Sequence, residues 1–167
     1  GHYYTKIEDT EAQHVPFSRW SPAQVSLYRI KRNLNRLGRP VRIIILKARQ
    51  QGISTLSELL AYHRTGYFPH ITAMVAAQEG PGAAAVFQKF RTFYLSTPEP
   101  LRPFAEKFTL DEIRFGEEGR AQSIEHGSRI FCHTLALGGA RKKESGKGRG
   151  GTYHYLHGSE VAFWPNA

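Results

Sequence analysis

Residues 41–55 constrain the fold more than any other part of the sequence. Residues 41–46 are a short, nearly all-apolar and β-branched run, which predicts a central strand buried on both faces. A polar loop follows, and the spacing of apolar residues then predicts a helix from Ser54 to about Thr65. A glycine turn between a buried strand and a helix directs backbone N–H groups toward one point, beside the positive end of the helix dipole. The sequence therefore predicts an anion site on this loop, although an ordinary strand–helix connection fits the same pattern.

The loop departs from the usual phosphate-binding pattern, which is G-x-x-x-x-G-K-[ST]. When the pattern is aligned on Gly52, its first glycine is replaced by Lys47 and its lysine by Ile53. We interpret the loop as a variant in which the cation has moved from the end of the loop to its start. Lys47 or Arg49 could then reach phosphate oxygens, and the pair Ser54-Thr55 could offer a hydroxyl to Mg²⁺.

The remaining sequence predicts a layered α/β domain over residues 20–167. Ser21-Pro22 is a good helix start, and the helix is predicted to end near Leu37. Further elements are predicted as strands at 71–76, 112–115, 121–126, 129–135 and 153–157, and as a helix with an aromatic core stripe at 83–94. This order favours helices on a mostly parallel central sheet. Residues 1–19 are polar and irregular and predict an N-terminal arm, in which we interpret Gly1-His2 as the remnant of an expression tag.

The last predicted strand runs into Gly158, Ser159 and Glu160. In ATPases with a phosphate-binding loop, carboxylates at a neighbouring strand end hold Mg²⁺ and position the attacking water. Glu160 is the one acidic residue within reach of this strand end and is the candidate general base. Ser159 stands where an aspartate normally holds the Mg²⁺ shell, and its hydroxyl can do so only weakly or through water. A surface glutamate that follows a strand is the alternative.

The charge of the chain favours a polyanionic partner. Its formal net charge is +9 and its pI about 9.9, so DNA or RNA is expected first, although a basic protein that is merely soluble has the same values. A glycine-rich segment, residues 138–151, carries cations that could contact DNA phosphates or simply be solvated: Arg141, Lys142, Lys143 and Lys147. The chain has only two aspartates, which argues against a complete metal-dependent nuclease. No apolar run approaches the ~18 residues of a membrane span.

Several short motifs, in this order and spacing, resemble those of phage terminase large subunits, the ATPases that drive viral DNA packaging. The resemblance covers nearly all of the chain after the first dozen residues. It is carried by Pro22-Ala23-Gln24, by residues 46–55, by Gly148-Arg149-Gly150 and by residues 157–164. It implies an α/β P-loop NTPase fold of the ASCE or RecA-like type. Terminases also include phosphate-binding loops whose lysine lies at the front, as Lys47 does here.

The resemblance implies a role for each matching residue. Gln24 would read the edge of adenine. The phosphates would be bound by side chains and backbone groups of Lys47, Arg49, Gln50, Gln51, Gly52, Ile53, Ser54 and Thr55. One of the last two would also hold Mg²⁺, with Ser159 contributing partly through water. Glu160 would activate water, and Arg149 would be the arginine finger that reaches into a neighbouring subunit.

The implied function is ATP hydrolysis coupled to translocation of double-stranded DNA into a procapsid, with ATP and Mg²⁺ as cofactors. The expected partners are the DNA, a portal protein, the small terminase subunit and further copies in a homo-oligomeric ring. The expected location is the cytoplasm of an infected bacterium, and the isolated chain is expected to be a monomer. Residues 20–167 would be a partial ATPase domain, truncated after the Walker B strand, so that neither a nuclease domain nor nuclease activity is expected.

Two alternatives stay open. A helicase-like translocase would share the adenine-reading glutamine and the phosphate-binding loop, but it would be expected to keep the loop-end lysine and an Asp-Glu pair. This chain has neither. A non-catalytic, basic nucleic-acid-binding domain with a decayed loop predicts salt-dependent DNA binding that ATP does not change.

Overall fold

Three α-helices and seven β-strands lie in the described part of the chain. The structure, a computed structural model, describes residues 3–8, 11–16, 19–47, 51–77, 80–117, 127–134 and 152–159. The helices are α1 (Pro22–Arg36), α2 (Ile53–Tyr67) and α3 (Gly80–Ser96), and a 3₁₀ turn spans Glu99–Leu101. The strands are β1 (Tyr3–Glu8), β2 (Glu11–Pro16), β3 (Thr72–Ala77), β4 (Ala105–Phe108), β5 (Glu112–Phe115), β6 (Ser128–Thr134) and β7 (Tyr155–Gly158). All three predicted helices are confirmed. So are four predicted strands, those at β3, β5, β6 and β7, whereas the one predicted at 121–126 lies outside the described residues.

Five of the strands form one mixed sheet flanked by helices, in the order β4-β5-β6-β3-β7. β3 runs parallel to both of its neighbours, β6 and β7, whereas β4–β5 and β5–β6 are antiparallel pairs. The prediction of a mostly parallel sheet is therefore wrong. The connection between β4 and β5 is too short for the crossover that parallel strands need, which explains one of the two antiparallel pairs. Thr109 closes this turn, because its Oγ1 accepts a hydrogen bond from the Glu112 N–H at 3.0 Å.

Residues 41–46, predicted to be a buried central strand, form no strand in the structure. Ile44 and Leu46 are fully exposed, and Val41 and Ile45 are also exposed. A strand is stable when a neighbouring strand satisfies its backbone groups, and no described strand pairs with this segment. A β-branched composition favours an extended backbone, but it cannot supply the partner.

The N-terminal arm is more regular than predicted. β1 and β2 form a separate antiparallel hairpin, in which Tyr3 pairs with Pro16 and Glu8 with Glu11. The prediction of an irregular segment is therefore wrong for these two strands. Their polar composition concealed the tyrosine, isoleucine and valine residues that favour strands, and the two-residue link between them is typical of a hairpin.

The hydrophobic core lies between the sheet and helices α2 and α3. Its fully buried members come from both helices and from β3, β5 and β6: Tyr62, Val75, Phe87, Phe90, Phe93, Ile113, Phe115 and Ile130. The aromatic stripe of α3 is therefore confirmed as core. α1 lies outside this core, because Gln24 is its one buried residue. The helix contacts α2. No helix in the described ranges has both the length and the apolar character needed to cross a membrane.

Candidate functional site

α2 begins at a glycine in a backbone conformation that other residues rarely adopt. Gly52 has φ 68° and ψ 11°, in the left-handed region. Its carbonyl accepts a hydrogen bond from the Leu56 N–H at 3.0 Å, and no described side chain caps the helix. The first N–H groups of α2 therefore have donor capacity at the positive end of the helix dipole. These are the donors that the loop sequence predicts.

The start of α1 is attached to this loop by hydrogen bonds. Gln24, 5% exposed, donates from Nε2 to the Gly52 carbonyl at 2.9 Å, across 28 positions of the sequence. Ser21 Oγ donates to the Gln51 carbonyl at 3.3 Å. Ser21 and Gln24 also form a capping box, in which Gln24 Oε1 accepts from the Ser21 N–H at 2.8 Å. Two residues at the start of α1 thus fix the last two residues of the loop.

The amide of Gln24 is therefore used within the protein, which the sequence did not indicate. A carboxamide has four hydrogen-bonding positions, so one Nε2 hydrogen and one Oε1 lone pair are left for another partner. A Cβ added to Gly52 would lie 2.5 Å from Gln24 Nε2. Glycine is thus required at this position both by its backbone conformation and by the close approach of the glutamine.

The first turn of α2 offers hydroxyls but no positive charge. Ile53, which replaces the usual loop-end lysine, is buried, so its side chain contributes packing. Ser54 and Thr55 are half-buried on the same turn. They are the described residues from which this turn could supply an oxygen ligand to Mg²⁺.

The carboxyl ends of β3 and β7 lie at the same end of the sheet as the start of α2. The two strands are parallel, with Ala76 opposite Gly158, and the Ser159 N–H donates to the Ala76 carbonyl at 2.9 Å. α2 leads into β3 and runs back along the sheet, so its first turn lies at this end. Consistent with this, Tyr155 of β7 donates from its hydroxyl to the Ser57 carbonyl at 2.8 Å. Ser159 and the first turn of α2 therefore lie at the same end of the sheet.

A cluster of ionisable side chains around the buried Glu58 lies close to this strand end. Glu58 of α2 is 0% exposed; its Oε2 lies 3.3 Å from Lys89 Nζ of α3, and its Oε1 lies 3.8 Å from His157 Nδ1 of β7. Burial raises the pKa of Glu58 to about 7, against the attraction of Lys89. Burial also lowers the pKa of His157 to about 4, helped by the charges of Lys89 and Lys47. At neutral pH His157 is therefore uncharged.

Lys47, the first residue of the loop, is exposed but belongs to the same neighbourhood. Its charge is one of the causes that lower the pKa of His157, so it acts on the end of β7 across space. The structure thus brings Lys47, the Gly52 turn and the strand end that carries Ser159 toward one end of the sheet. The segment that precedes Lys47 is not a strand, so the loop has no described strand behind it.

Several predicted site residues lie outside the described residues: Arg49, Gln50, Arg141, Lys142, Lys143, Lys147, Arg149 and Glu160. The water-activating carboxylate, the arginine finger and the DNA-contacting loop therefore stay predictions. The described oxygen donors for Mg²⁺ are the hydroxyls of Ser54, Thr55 and Ser159. Within the described ranges no group of three or more His, Cys, Asp or Glu side chains could hold a metal. Hydroxyls alone fit a Mg²⁺ ion that arrives with a nucleotide, because such an ion takes most of its ligands from phosphate and water.

Sequence reasoning missed the cluster of Glu58, Lys89 and His157. Helical spacing places Glu58 away from the apolar face that carries Leu56 and Leu59, so the sequence predicts an exposed carboxylate at this position. The partners come from α3 and β7, which no local pattern connects to α2.

No protein-family model matches this chain, and no curated protein is significantly similar to it. The candidate site is therefore described by its own contacts, such as those that join Gln24 to Gly52 and Ser159 to Ala76.

Proposed function

We propose that this chain is the ATP-binding and ATP-hydrolysing domain of a viral DNA-packaging motor, with a P-loop NTPase fold like that of phage terminase large subunits. The observation that carries the proposal is the hydrogen bond from Gln24 to the Gly52 carbonyl at 2.9 Å. This contact joins the residue proposed to read adenine with the loop proposed to hold the phosphates. An ordinary strand–helix connection does not require a buried glutamine from another helix at its last residue.

Phosphate binding is supported by the geometry at the start of α2. The N–H groups that follow the left-handed Gly52 turn would donate to phosphate oxygens, assisted by the helix dipole. Lys47 would supply positive charge from the front of the loop, because Ile53 is buried and apolar. When bound with the nucleotide, Mg²⁺ would neutralise phosphate charge, and Ser54 or Thr55 would hold it, with Ser159 acting through water.

Hydrolysis would depend on two residues outside the described ranges. Glu160 follows Ser159 directly in the sequence and would orient a water for in-line attack on the γ-phosphate. Arg149 of a neighbouring copy would stabilise charge on the transferring phosphoryl group, an effect worth roughly 10³–10⁵ in rate. We therefore expect slow turnover by the isolated chain and faster turnover in a ring. Double-stranded DNA, a portal protein and the small terminase subunit would be its partners in the infected bacterium.

A second candidate is a non-catalytic, basic nucleic-acid-binding domain. Two observations favour it: Ile53 is buried where a loop-end lysine is usual, and residues 41–46 pair with no described strand. A loop that lacks both the lysine and a paired strand before it is less firmly positioned to bind phosphate. This candidate predicts DNA binding that responds to salt but not to ATP.

The experiment that separates the two is titration calorimetry of the whole chain with Mg·ATP. We expect the wild type to bind. Lys47→Ala should bind about tenfold or more weakly, because a hydrogen bond to a charged phosphate is worth about 1.5–3 kcal/mol. Gln24→Ala should bind roughly 2- to 10-fold more weakly, because a hydrogen bond to the uncharged adenine is worth about 0.5–1.5 kcal/mol. Lys107→Ala is the matched control, since it removes an exposed lysine from β4, at the far edge of the sheet.

Glu160→Gln should keep Mg·ATP binding but lose hydrolysis, measured as phosphate release, since its proposed role is in the chemical step. Absence of Mg·ATP binding by the wild type would overturn the motor proposal in favour of the second candidate. Equal losses in Lys47→Ala and Lys107→Ala would show that the loop lysine has no specific role.

A further inference from the structure

The positive charge of this protein is concentrated in one segment. Between Glu11 and Glu58 the sequence contains no acidic residue and nine basic ones: Arg19, Arg29, Lys31, Arg32, Arg36, Arg39, Arg42, Lys47 and Arg49. The chain has 23 basic residues in all, so the remaining 14 are balanced by its 14 acidic residues. This single segment therefore accounts for the whole net charge of +9. It consists largely of α1 and the residues that follow α1.

Three of these cations form a row along α1. Arg29, Arg32 and Arg36 follow a spacing of three and four residues, which places them on one face of the helix, and all three are exposed. The row is ~10 Å long, at ~1.5 Å of rise per residue. Arg39 and Arg42, also exposed, follow the helix in the sequence. We call these five residues the arginine face.

The charges of the arginine face are not neutralised within the described part of the protein. The ion pairs among described residues involve Glu58 and Glu112 with cations of other elements. An anion that bound to the arginine face would therefore gain charge-assisted hydrogen bonds without displacing an ion pair among the described residues.

The surface chemistry of α1 favours a duplex over single-stranded nucleic acid. Proteins that bind single strands combine a basic groove with exposed aromatic rings on which bases stack. The aromatic rings on α1 and directly before it, Tyr28 and Trp20, are half-buried and pack edge to face at 5.0 Å. The residues exposed beside the arginines include Ser26 and Asn33, whose side chains can donate to phosphate oxygens. A rigid row of cations also matches the regular charge of a duplex better than a flexible strand.

We propose that the arginine face of α1 binds the phosphate backbone of double-stranded DNA, without reading its sequence. The choice of DNA as the duplex rests on the proposed function, whereas the surface itself is argued from its charge, exposure and spacing. The start of the same helix holds Gly52 through Gln24, ~18 Å along the helix axis from Arg36. One rigid helix would thus contact the nucleotide loop at its start and DNA along its side.

The test measures binding of the whole chain to a short fluorescein-labelled DNA duplex by fluorescence anisotropy, without nucleotide, across about 50–200 mM salt. The test variant carries Arg29→Gln, Arg32→Gln and Arg36→Gln, which keep good helix formers at all three positions. The control variant carries Lys107→Gln, Arg114→Gln and Arg129→Gln, which remove the same net charge from β4, β5 and β6. Circular dichroism verifies that each variant is folded.

We expect the test variant to bind the duplex roughly tenfold or more weakly at low salt. Its salt slope should decrease by roughly 2 to 3, at about 0.9 for each phosphate that the variant no longer neutralises. The control should retain the wild-type slope. Equal losses in the two variants would overturn the proposal, since net charge alone would then explain binding. The proposal would also be overturned if the test variant bound the duplex with the affinity and salt slope of the wild type.

Three further probes decide the partner, namely duplex RNA, poly(dT) and phosphatidylserine vesicles. Tighter α1-dependent binding to any of them than to duplex DNA would overturn the assignment to DNA. Calorimetry with Mg·ATP on the same variants keeps the two proposals apart. If ATP binds and the arginine face has no effect on DNA, only the inference about α1 fails. If ATP does not bind, the motor proposal fails. The DNA titration, which is made without nucleotide, then still decides whether the arginine face binds a duplex.

Discussion

Replacing Glu58 by glutamine should stabilise the protein at neutral pH, although Glu58 lies 3.3 Å from Lys89. The carboxyl group is fully buried, and burial raises its pKa from 4.5 to about 7 despite the attraction of Lys89. The groups that face it are Lys89 on α3 and His157 on β7, with Tyr155 nearby on β7. Glutamine has almost the same shape and no charge to bury, so it removes the penalty that the carboxylate imposes above its pKa.

The sign of the pH dependence follows from proton binding. Between pH 4.5 and about pH 7 the unfolded chain has lost the Glu58 proton, whereas the folded protein retains it. The folded state therefore binds more protons, and the free energy of unfolding decreases as the pH rises through this range. Above about pH 7 both states are ionised and the difference is constant.

The magnitude follows from the same two pKa values. A change from 4.5 to about 7 corresponds to about 3 kcal/mol, at ~1.4 kcal/mol for each pKa unit. The free energy of unfolding of Glu58→Gln, minus that of the wild type, should therefore increase by about 3 kcal/mol between pH 4.5 and pH 7. Urea denaturation followed by circular dichroism at several pH values measures this difference directly.

The titration of His157 changes the free energy of unfolding in the opposite direction to that of Glu58. Its effect is clearest in Glu58→Gln, where Glu58 no longer titrates. Burial, with the charges of Lys89 and Lys47, lowers its pKa from 6.5 to about 4, so the unfolded chain binds the extra proton as the pH falls. The stability of Glu58→Gln should therefore fall as the pH falls from 6.5 toward 4, whereas in the wild type Glu58 offsets much of this change.

Glu112→Gln is the matched control. Burial acts to raise the pKa of Glu112, but the hydrogen bonds and charges of Lys107 and Arg114 prevail and lower it. Replacing Glu112 by glutamine should therefore decrease the free energy of unfolding at neutral pH. This decrease should disappear as the pH falls below 4.5 and through the lowered pKa of Glu112 in the folded protein. Parallel pH curves for Glu58→Gln and the wild type would refute the reasoning, since they would mean that the pKa of Glu58 is the same in the folded protein as in the unfolded chain.

Three further predictions concern the loop and the core, and Gly38→Ala serves as a control for the first of them. Each is measured as the free energy of unfolding. Gly52→Ala should cost about 2 kcal/mol or more, from the left-handed backbone and the 2.5 Å approach to Gln24, and should weaken Mg·ATP binding. Gly38→Ala, with φ 64° but nothing within 4 Å, should cost only the backbone part. Tyr62→Phe loses a buried 3.0 Å hydrogen bond to a threonine and should cost about 1 kcal/mol. Phe90→Ala, in the α3 core, should cost about 3–5 kcal/mol, and a loss below 1 kcal/mol would contradict its burial.

Two local features of the candidate site could be predicted from the sequence. The Ser21 cap and Pro22 predicted the start of α1, and the glycine predicted a turn before α2, because caps and turns depend on a few adjacent residues. The resemblance placed Gln24 in the same site as the loop, but the residue pattern did not show that its amide donates to Gly52. That hydrogen bond joins residues 28 positions apart, and its geometry is set by the packing of α1 on α2.

The sequence by itself determined that three helices form, where α1 begins, which face of α3 is core, and how strongly the charge is concentrated around α1. These properties follow from the spacing of apolar residues and from composition, and both are local. Only the tertiary structure decided that residues 41–46 remain unpaired, that half of the sheet pairings are antiparallel, and that Glu58 meets Lys89 and His157. Strand pairing and the pKa of a buried group depend on neighbours distant in sequence, because hydrogen bonds and desolvation act through space.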